Sequence, residues 1–257
     1  MRTRTFPQGY DTGRTLAVVD VTVVIPAHNE AEYLPAGLAA VRAAAARLDS
    51  PVEVVVVANR CTDRTGELAM AGGATVVEHG ARCIAAVRNA GVAVATGDVV
   101  VTVDADCTMH PDTLRQVVEH LDTGRFVGGG TKVVPERRSA GISATYAVME
   151  VLVAAARVGG GVFWTRRDDF DAVGGFDEHL VVGEDVDFAR RLAAHGRTTG
   201  RKFTTLRSVP LTASCRKFDR YSDWHMFAMA RELPSVLRSV RGTDTRFVDK
   251  YFHDFNG

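Results

Sequence analysis

Valine-dominated apolar runs alternate with alanine- and leucine-rich stretches of helical spacing through the first half of the chain. Residues 21–25, 52–57, 75–78 and 99–103 are short and valine-dominated, with apolar residues on adjacent positions, the pattern of strands buried on both faces. Between them, 31–48, 65–71, 82–95 and 111–121 carry apolar residues at helical intervals. Pro111 suits a first helical turn and Gly72-Gly73 a helix end. Strand–helix–strand repetition at this interval predicts an α/β fold, a mainly parallel central sheet flanked by helices. The second half is less regular. Strands are expected at 126–134 and 201–206, and helices at 140–157 and 185–195. Across 221–241, Trp224, Phe227, Leu233, Val236, Leu237 and Val240 fall roughly on one helical face, which Pro234 would kink or break. No repeat or linker divides the chain, so one domain is expected, changing role near Gly124.

The predicted strands end in polar residues. The first runs into Pro26-Ala27-His28-Asn29-Glu30, and the second into Asn59-Arg-Cys-Thr62-Asp63-Arg64-Thr65. The third helix carries Arg88-Asn89-x-Gly91, and the fourth strand ends in Asp104-Ala-Asp106. Positions two apart on a strand project to one side. The paired acids are therefore expected to face one spot, in the crevice where open α/β sheets bind ligands. A hard cation such as Mg²⁺ or Mn²⁺, itself holding phosphate oxygens, suits such a pair. Each motif has a plainer reading: Asp63 as a helix cap, Arg88 as a surface residue. Asp104-x-Asp106-x-Thr108 also fits the signature of haloacid dehalogenase-type phosphatases, with Asp104 as nucleophile. That signature normally follows the first core strand, whereas three strands with their own polar turns precede it here. Gly128-Gly-Gly130 lies outside the first strand–helix turn and is no dinucleotide fingerprint. It is read as room for backbone approach near a sugar.

Taken in order, P-A-H-N-E, N-R-C-T-D-R-T, R-N-x-G-x-A-x-A-T-G-D and V-D-A-D resemble a family 2 glycosyltransferase of the GT-A fold. The likeness continues through Arg167, Val173-Gly-Gly-Phe-Asp177-Glu and Gly183-Glu184-Asp185-Val-Asp187-Phe, and covers about 21–197. It implies a nucleotide-sugar-binding half at about 21–122 and an acceptor-binding half, with a C-terminal helical region, at about 123–257. It further implies inverting transfer of a hexose-type sugar from a nucleotide diphosphate, preferably a UDP-sugar, to an acceptor hydroxyl. Pro26, Ala27, Asn29, Glu30 and Asp63 match positions that hold base and ribose, and Arg88 a basic residue on the nucleotide. Asn59 stands where relatives often carry an acid, so recognition there is expected to differ. Asp106 matches the more direct metal ligand, and Asp104 a carboxylate shared between metal and ribose.

Asp185 matches the catalytic base, with Glu184 and Asp187 as neighbouring acids. Free N–H groups at a helix start would favour its ionised form; the plainer reading is a helix cap. The basic, aromatic stretch Ser214-Cys-Arg216-Lys217-Phe-Asp-Arg220-Tyr221-x-x-Trp224 resembles a motif that holds diphosphate and acceptor. Arg216 and Lys217 are its candidates for the diphosphate, Glu184 and Trp224 for the diphosphate or acceptor. The segments around 158–167 and from Cys215 onward are expected to close over the diphosphate. His179, His195 and His225 have no distinctive ligand spacing and read as packed or surface residues.

Composition narrows the partners. The formal net charge is zero, which gives no reason to expect nucleic acid. A surplus of twelve Lys/Arg over five Asp/Glu between Arg197 and Lys250 suits an anionic ligand or a peripheral membrane contact. Four scattered cysteines without zinc spacing, a polar N-terminus and the absence of any run of about 18 apolar residues lead to the expectation of a cytoplasmic protein. The acceptor is left open between a glycan, a lipid-linked molecule and a small molecule. A sugar-phosphate nucleotidyltransferase would need a glycine-rich basic loop after the first strand. A non-catalytic sugar-nucleotide-binding protein is the further alternative.

Overall fold

Alternate residues of the first strand enter opposite layers, which sets the architecture. The computed structural model describes residues 20–156, 160–180 and 183–229. All seven residues of β1 (Val21–Ala27) are buried. Val21, Val23 and Ile25 pack with Leu34, Leu38 and Val41 of α1 (Leu34–Ala45), while Val24 packs on the other face with Ala85, Val87 and Val92 of α3 (Ile84–Val94). β2 (Val52–Asn59), α2 (Thr65–Ala71), β3 (Thr75–His79) and β4 (Val99–Thr102) complete a parallel set in which β1 lies between β2 and β4. Their ends agree with the sequence reading to within two residues, because strands buried on both faces leave an unbroken apolar signature.

The rest of the sheet is mixed. After β5 (Cys107–Thr108) and α4 (Thr113–Asp122) come β6 (Phe126–Pro135), α5 (Ala140–Ala156), β7 (Gly160–Arg166), α6 (Arg167–Ala172) and α7 (Glu184–Thr198). β8 (Lys202–Ala213), α8 (Arg216–Tyr221) and α9 (His225–Met229) follow. The eight strands are ordered β3-β2-β1-β4-β7-β6-β8-β5. β7 runs antiparallel between β4 and β6, β8 lies parallel to β6, and β5 pairs antiparallel with β8. Most of the helix expected at 221–241, including Leu233 and Pro234, lies outside the described residues. Among the described residues no helix is long and apolar enough to cross a membrane.

Three expectations are corrected. Of the segment around 158–167, the part from Gly160 to Arg166 is no closing loop but β7: Val162 to Thr165 are buried and paired to β4 and β6, and 158–159 lie outside the described residues. Because β7 is antiparallel, its end at Arg166 lies beside Val99 at the start of β4, and Arg167 N–H donates to Asp98 O. Arg167 therefore sits at the edge of the sheet opposite the polar strand ends. The glycines at 128–130 make room for protein rather than for a sugar. A Cβ on Gly129 would run into the Thr204 carbonyl oxygen and come within 2.6 Å of the Trp164 indole, and that indole is fully buried. The third correction concerns β8, which extends past the expected end at 206 to Ala213. Its pairing with β6 shifts register between Thr131 and Val133, and that irregularity accommodates Pro210.

Candidate active site

The polar residues after β1, β2 and β4 meet at the C-terminal edge of the parallel strands. Asn29 adopts a left-handed backbone (φ 50°), which turns its side chain back across the β2 loop. Its Oδ1 accepts hydrogen bonds from Thr62 N–H at 2.8 Å and Asp63 N–H at 3.4 Å. Asp63 in turn accepts from Thr65 N–H (2.9 Å), Thr65 Oγ1 (2.5 Å) and Ala31 N–H (3.0 Å). Burial alone would raise the Asp63 pKa, but these donors stabilise the carboxylate and the net shift is downward. Thr65 Oγ1 accepts from Glu30 N–H at 2.8 Å, so the two turns lock each other. Asn59 Oδ1 is buried without a hydrogen-bond partner among the described residues. Pro26 and Ala27 are the buried last two residues of β1, opposite Val57 and Ala58, and carry the chain to His28, whose Nδ1 lies 2.7 Å from Asn59 O.

The acid pair is brought together by a turn, not by strand alternation. β4 ends at Thr102, Val103 N–H still donates to Val24 O, and Cys107 N–H then closes a turn on Asp104 O. Asp104 and Asp106 consequently meet different arginines. Arg88 of α3 donates to Asp104 Oδ1 at 3.0 Å and to Glu184 Oε1 at 2.7 Å. It lies 5.3 Å from the Phe176 ring centroid. Burial would lower the Arg88 pKa, but Asp104 and Glu184 outweigh it and the net shift is upward. Both terminal nitrogens thus serve acids of the protein. Its neighbour Asn89 donates to Phe176 O and accepts from Phe176 N–H, at 2.8 and 2.9 Å. Gly175, at φ 66°, passes so close that a Cβ would lie 2.8 Å from Asn89 Oδ1. The Arg88-Asn89 pair therefore ties α3 to the segment leading into α7.

The second arginine arrives from the far end of the chain. Arg216, first residue of α8, donates to both oxygens of Glu30 at 2.7 and 2.8 Å and reaches Asp106 Oδ2 at 3.0 Å. Its guanidinium lies 5.0 Å from the Tyr33 ring centroid. Lys217 sits close by: burial pulls its pKa down, Asp106, Asp104 and Glu30 push it up, Arg216 adds to the depression, and the net shift is downward. Trp224 is placed apart, exposed and packed on Gly141 and Phe227.

Three acids open α7, and two are engaged. Glu184 is held by Arg88 (2.7 Å), and Asp187 by Arg191 (2.6 Å). Among the described residues no basic side chain pairs with Asp185, whose Oδ1 accepts from Val186 N–H at 2.7 Å. Its charge is near enough to raise both Arg88 and Glu184. Among the described residues no three acids, histidines or cysteines cluster as metal ligands. His195 is 2.9 Å from Asp169, and His225 packs on Phe218.

The roles of Asn89 and Tyr33 and the Glu30–Arg216 pairing escaped the sequence reading. Glu30 and Arg216 lie 186 positions apart, and nothing local announces the pair.

Known proteins show the same framework. The Glycosyl transferase family 2 model matches residues 22–146, and the Glycosyl transferase family group 2 model residues 99–222. An undecaprenyl-phosphate 4-deoxy-4-formamido-L-arabinose transferase of Pectobacterium atrosepticum is 33% identical over 122 residues, covering 44% of this chain and 36% of that protein. The glycosyltransferase AglE of Haloferax volcanii is 30% identical over 189 residues, covering 68% of this chain and 62% of that one. The chain thus spans well under half of the first relative and under two thirds of the second. A mannosyltransferase of Pyrobaculum calidifontis, solved with GDP-Man and Mn²⁺, superposes with a TM-score of 0.59 at 25% identity, over 75% of this chain and 56% of that one. Two overlapping family models running from residue 22 to residue 222, relatives of the same kind and a shared GT-A framework establish that the chain belongs to glycosyltransferase family 2.

Proposed function

We propose that the chain is an inverting glycosyltransferase that moves a hexose-type sugar from a nucleoside diphosphate to an acceptor hydroxyl, with Asp185 as general base. One observation carries this reading: of the three acids opening α7, Glu184 and Asp187 are bound to arginines, while Asp185 has no basic partner among the described residues. A base must accept a proton as the acceptor oxygen attacks the anomeric carbon, and a carboxylate locked to an arginine serves poorly. Asn29, Asp63 and the backbone around Glu30 would read base and ribose. The partnerless Asn59 Oδ1 supports a ligand donor there, since a buried acceptor left without one costs about 1–3 kcal/mol.

Asp106 and Asp104 suit Mg²⁺ or Mn²⁺: both are hard oxygen donors, and with no three-membered ligand cluster among the described residues the remaining ligands would come from diphosphate and water. Bound there, the ion offsets the charge that builds on the leaving diphosphate. Arg216 and Lys217 would hold the same diphosphate. A uridine donor is the preferred reading; the GDP-Man held by the archaeal relative makes guanosine its competitor. The division of labour follows the sheet, with the nucleotide on residues 21–122 and the acceptor on the remainder. Exposed Val148, Met149, Val151 and Leu152 on α5, together with Trp224 and Phe227, favour a lipid-linked or otherwise apolar acceptor.

The family assignment leaves the phosphatase reading of Asp104 without support. Asp185→Asn tests the proposal on any donor that the protein turns over. Transfer should fall about 10²- to 10⁴-fold, nucleotide affinity should persist, and NMR of the wild-type product should show the inverted anomer. Unchanged turnover would remove Asp185 from the mechanism.

A further inference from the structure

We propose that Arg216 is a tethered counter-cation which occupies the metal carboxylate Asp106 in the empty protein and is transferred to the diphosphate when donor binds, so that metal and nucleotide bind only weakly apart. The proposal rests on the function proposed above. Arg216 bridges the two acids that a ligand would have to reach, Asp106 at 3.0 Å and both oxygens of Glu30 at 2.7 and 2.8 Å. The bridge is largely enclosed, with side-chain exposures of 15% for Arg216, 7% for Glu30 and 20% for Asp106.

A divalent ion arriving alone must separate Asp106 from a guanidinium and then sit beside it and beside Lys217. Like charges at that range repel strongly in a partly buried site. A diphosphate changes the balance. Its oxygens match the arginine fork, so Arg216 gains an anion as it gives up Asp106, and the released carboxylate is open to the ion. Glu30 matters because it grips the guanidinium through two hydrogen bonds, leaving the head group a pivot instead of freedom to swing into solvent. Glu30 is thereby a positioning residue for Arg216, a different part from the nucleotide contact expected of it. Arg88 offers no comparable exchange at Asp104, because it rises from α3, which packs closely on the sheet through Gly91.

Binding linkage is reciprocal, so the test needs no catalysis. Free Mn²⁺ is titrated by electron paramagnetic resonance against the full chain, without nucleotide and with saturating UDP or GDP. In the wild type, nucleotide should tighten Mn²⁺ by about 5- to 150-fold, and Mn²⁺ should tighten nucleotide by the same factor. In Arg216→Gln, Mn²⁺ alone should bind more tightly than in the wild type, and the coupling should shrink several-fold, leaving the part that diphosphate oxygens on the ion supply directly. Arg216→Lys keeps the charge but loses the fork, and should shift in the same direction by less; it carries the test if the glutamine variant does not fold. Mn²⁺ binding the wild type equally well with and without nucleotide, or coupling undiminished in both Arg216→Gln and Arg216→Lys, would overturn the proposal. If no variant binds UDP, GDP or Mn²⁺ under any condition, the proposed function itself fails.

Discussion

The Arg88 and Arg216 centres use one motif for two ends. Each places a guanidinium between two carboxylates within 3.0 Å, and each engages one member of the Asp104/Asp106 pair. Their hosts differ. Arg88 rises from the eleven-residue α3, which packs so tightly on the sheet that a Cβ on Gly91 would come within 2.8 Å of Val57. Arg216 begins the six-residue α8 at the rim, directly after β8. A charge held by a long packed helix is a brace; the same charge on a short rim helix can change partners. Arg88 thus fixes the acidic start of α7 against α3 and the end of β4, while on the exchange proposed above Arg216 answers ligand.

The largest effect should come from breaking the brace. Arg88→Met leaves Glu184 buried and unpaired, and loss of one partner of a buried pair costs about 3–5 kcal/mol; chemical denaturation should show it as a lower midpoint. Arg216→Gln should cost less, about 1–3 kcal/mol, because Lys217 lies beside the same acids and Asp106 is partly solvated. Equal losses in the two variants would erase the distinction between brace and exchangeable contact. Gly129→Ala tests the sheet that carries both centres. Overpacking against Trp164 and Thr204 should cost about 1–3 kcal/mol, whereas a glycine kept for a sugar would lower activity and leave stability alone.

The smallest effect is a pH dependence peculiar to the brace. Burial raises the Glu184 pKa above its ordinary 4.5, and Arg88 only partly opposes it. Because the folded state holds that proton more tightly than the unfolded chain, Glu184 adds stability below pH 4.5. The contribution fades as pH climbs through the raised folded value. Glu184→Gln should remove that decline, seen in denaturation series on both sides of pH 4.5. An identical pH profile for the variant would contradict the assignment.

Legibility followed the range of the forces. β1 to β4 and their helices were readable because apolar runs and turn residues are local signals. β7 was not, since Gly160-Gly161 reads as a loop although those residues pair and pack: a Cβ on Gly161 would lie 2.8 Å from Val133. β8 runs past the expected end at 206, and a register shift in its pairing with β6 absorbs Pro210. The site motifs were visible one by one. Which acid each arginine would meet was not, because Arg88–Glu184 spans 96 positions and Arg216–Glu30 spans 186. The resemblance singles out Asp185 among the three acids; the arginine contacts of Glu184 and Asp187 lie outside what the sequence shows.

The central claim is that this edge of the sheet holds a nucleotide-sugar and releases its diphosphate. Release of nucleoside diphosphate from a panel of UDP- and GDP-sugars, with Mg²⁺ or Mn²⁺ and again with chelator, tests it most directly. At least one donor should release its nucleoside diphosphate with metal and stop when the metal is removed. No release from any donor, with no thermal stabilisation of the protein by UDP or GDP, would contradict the account.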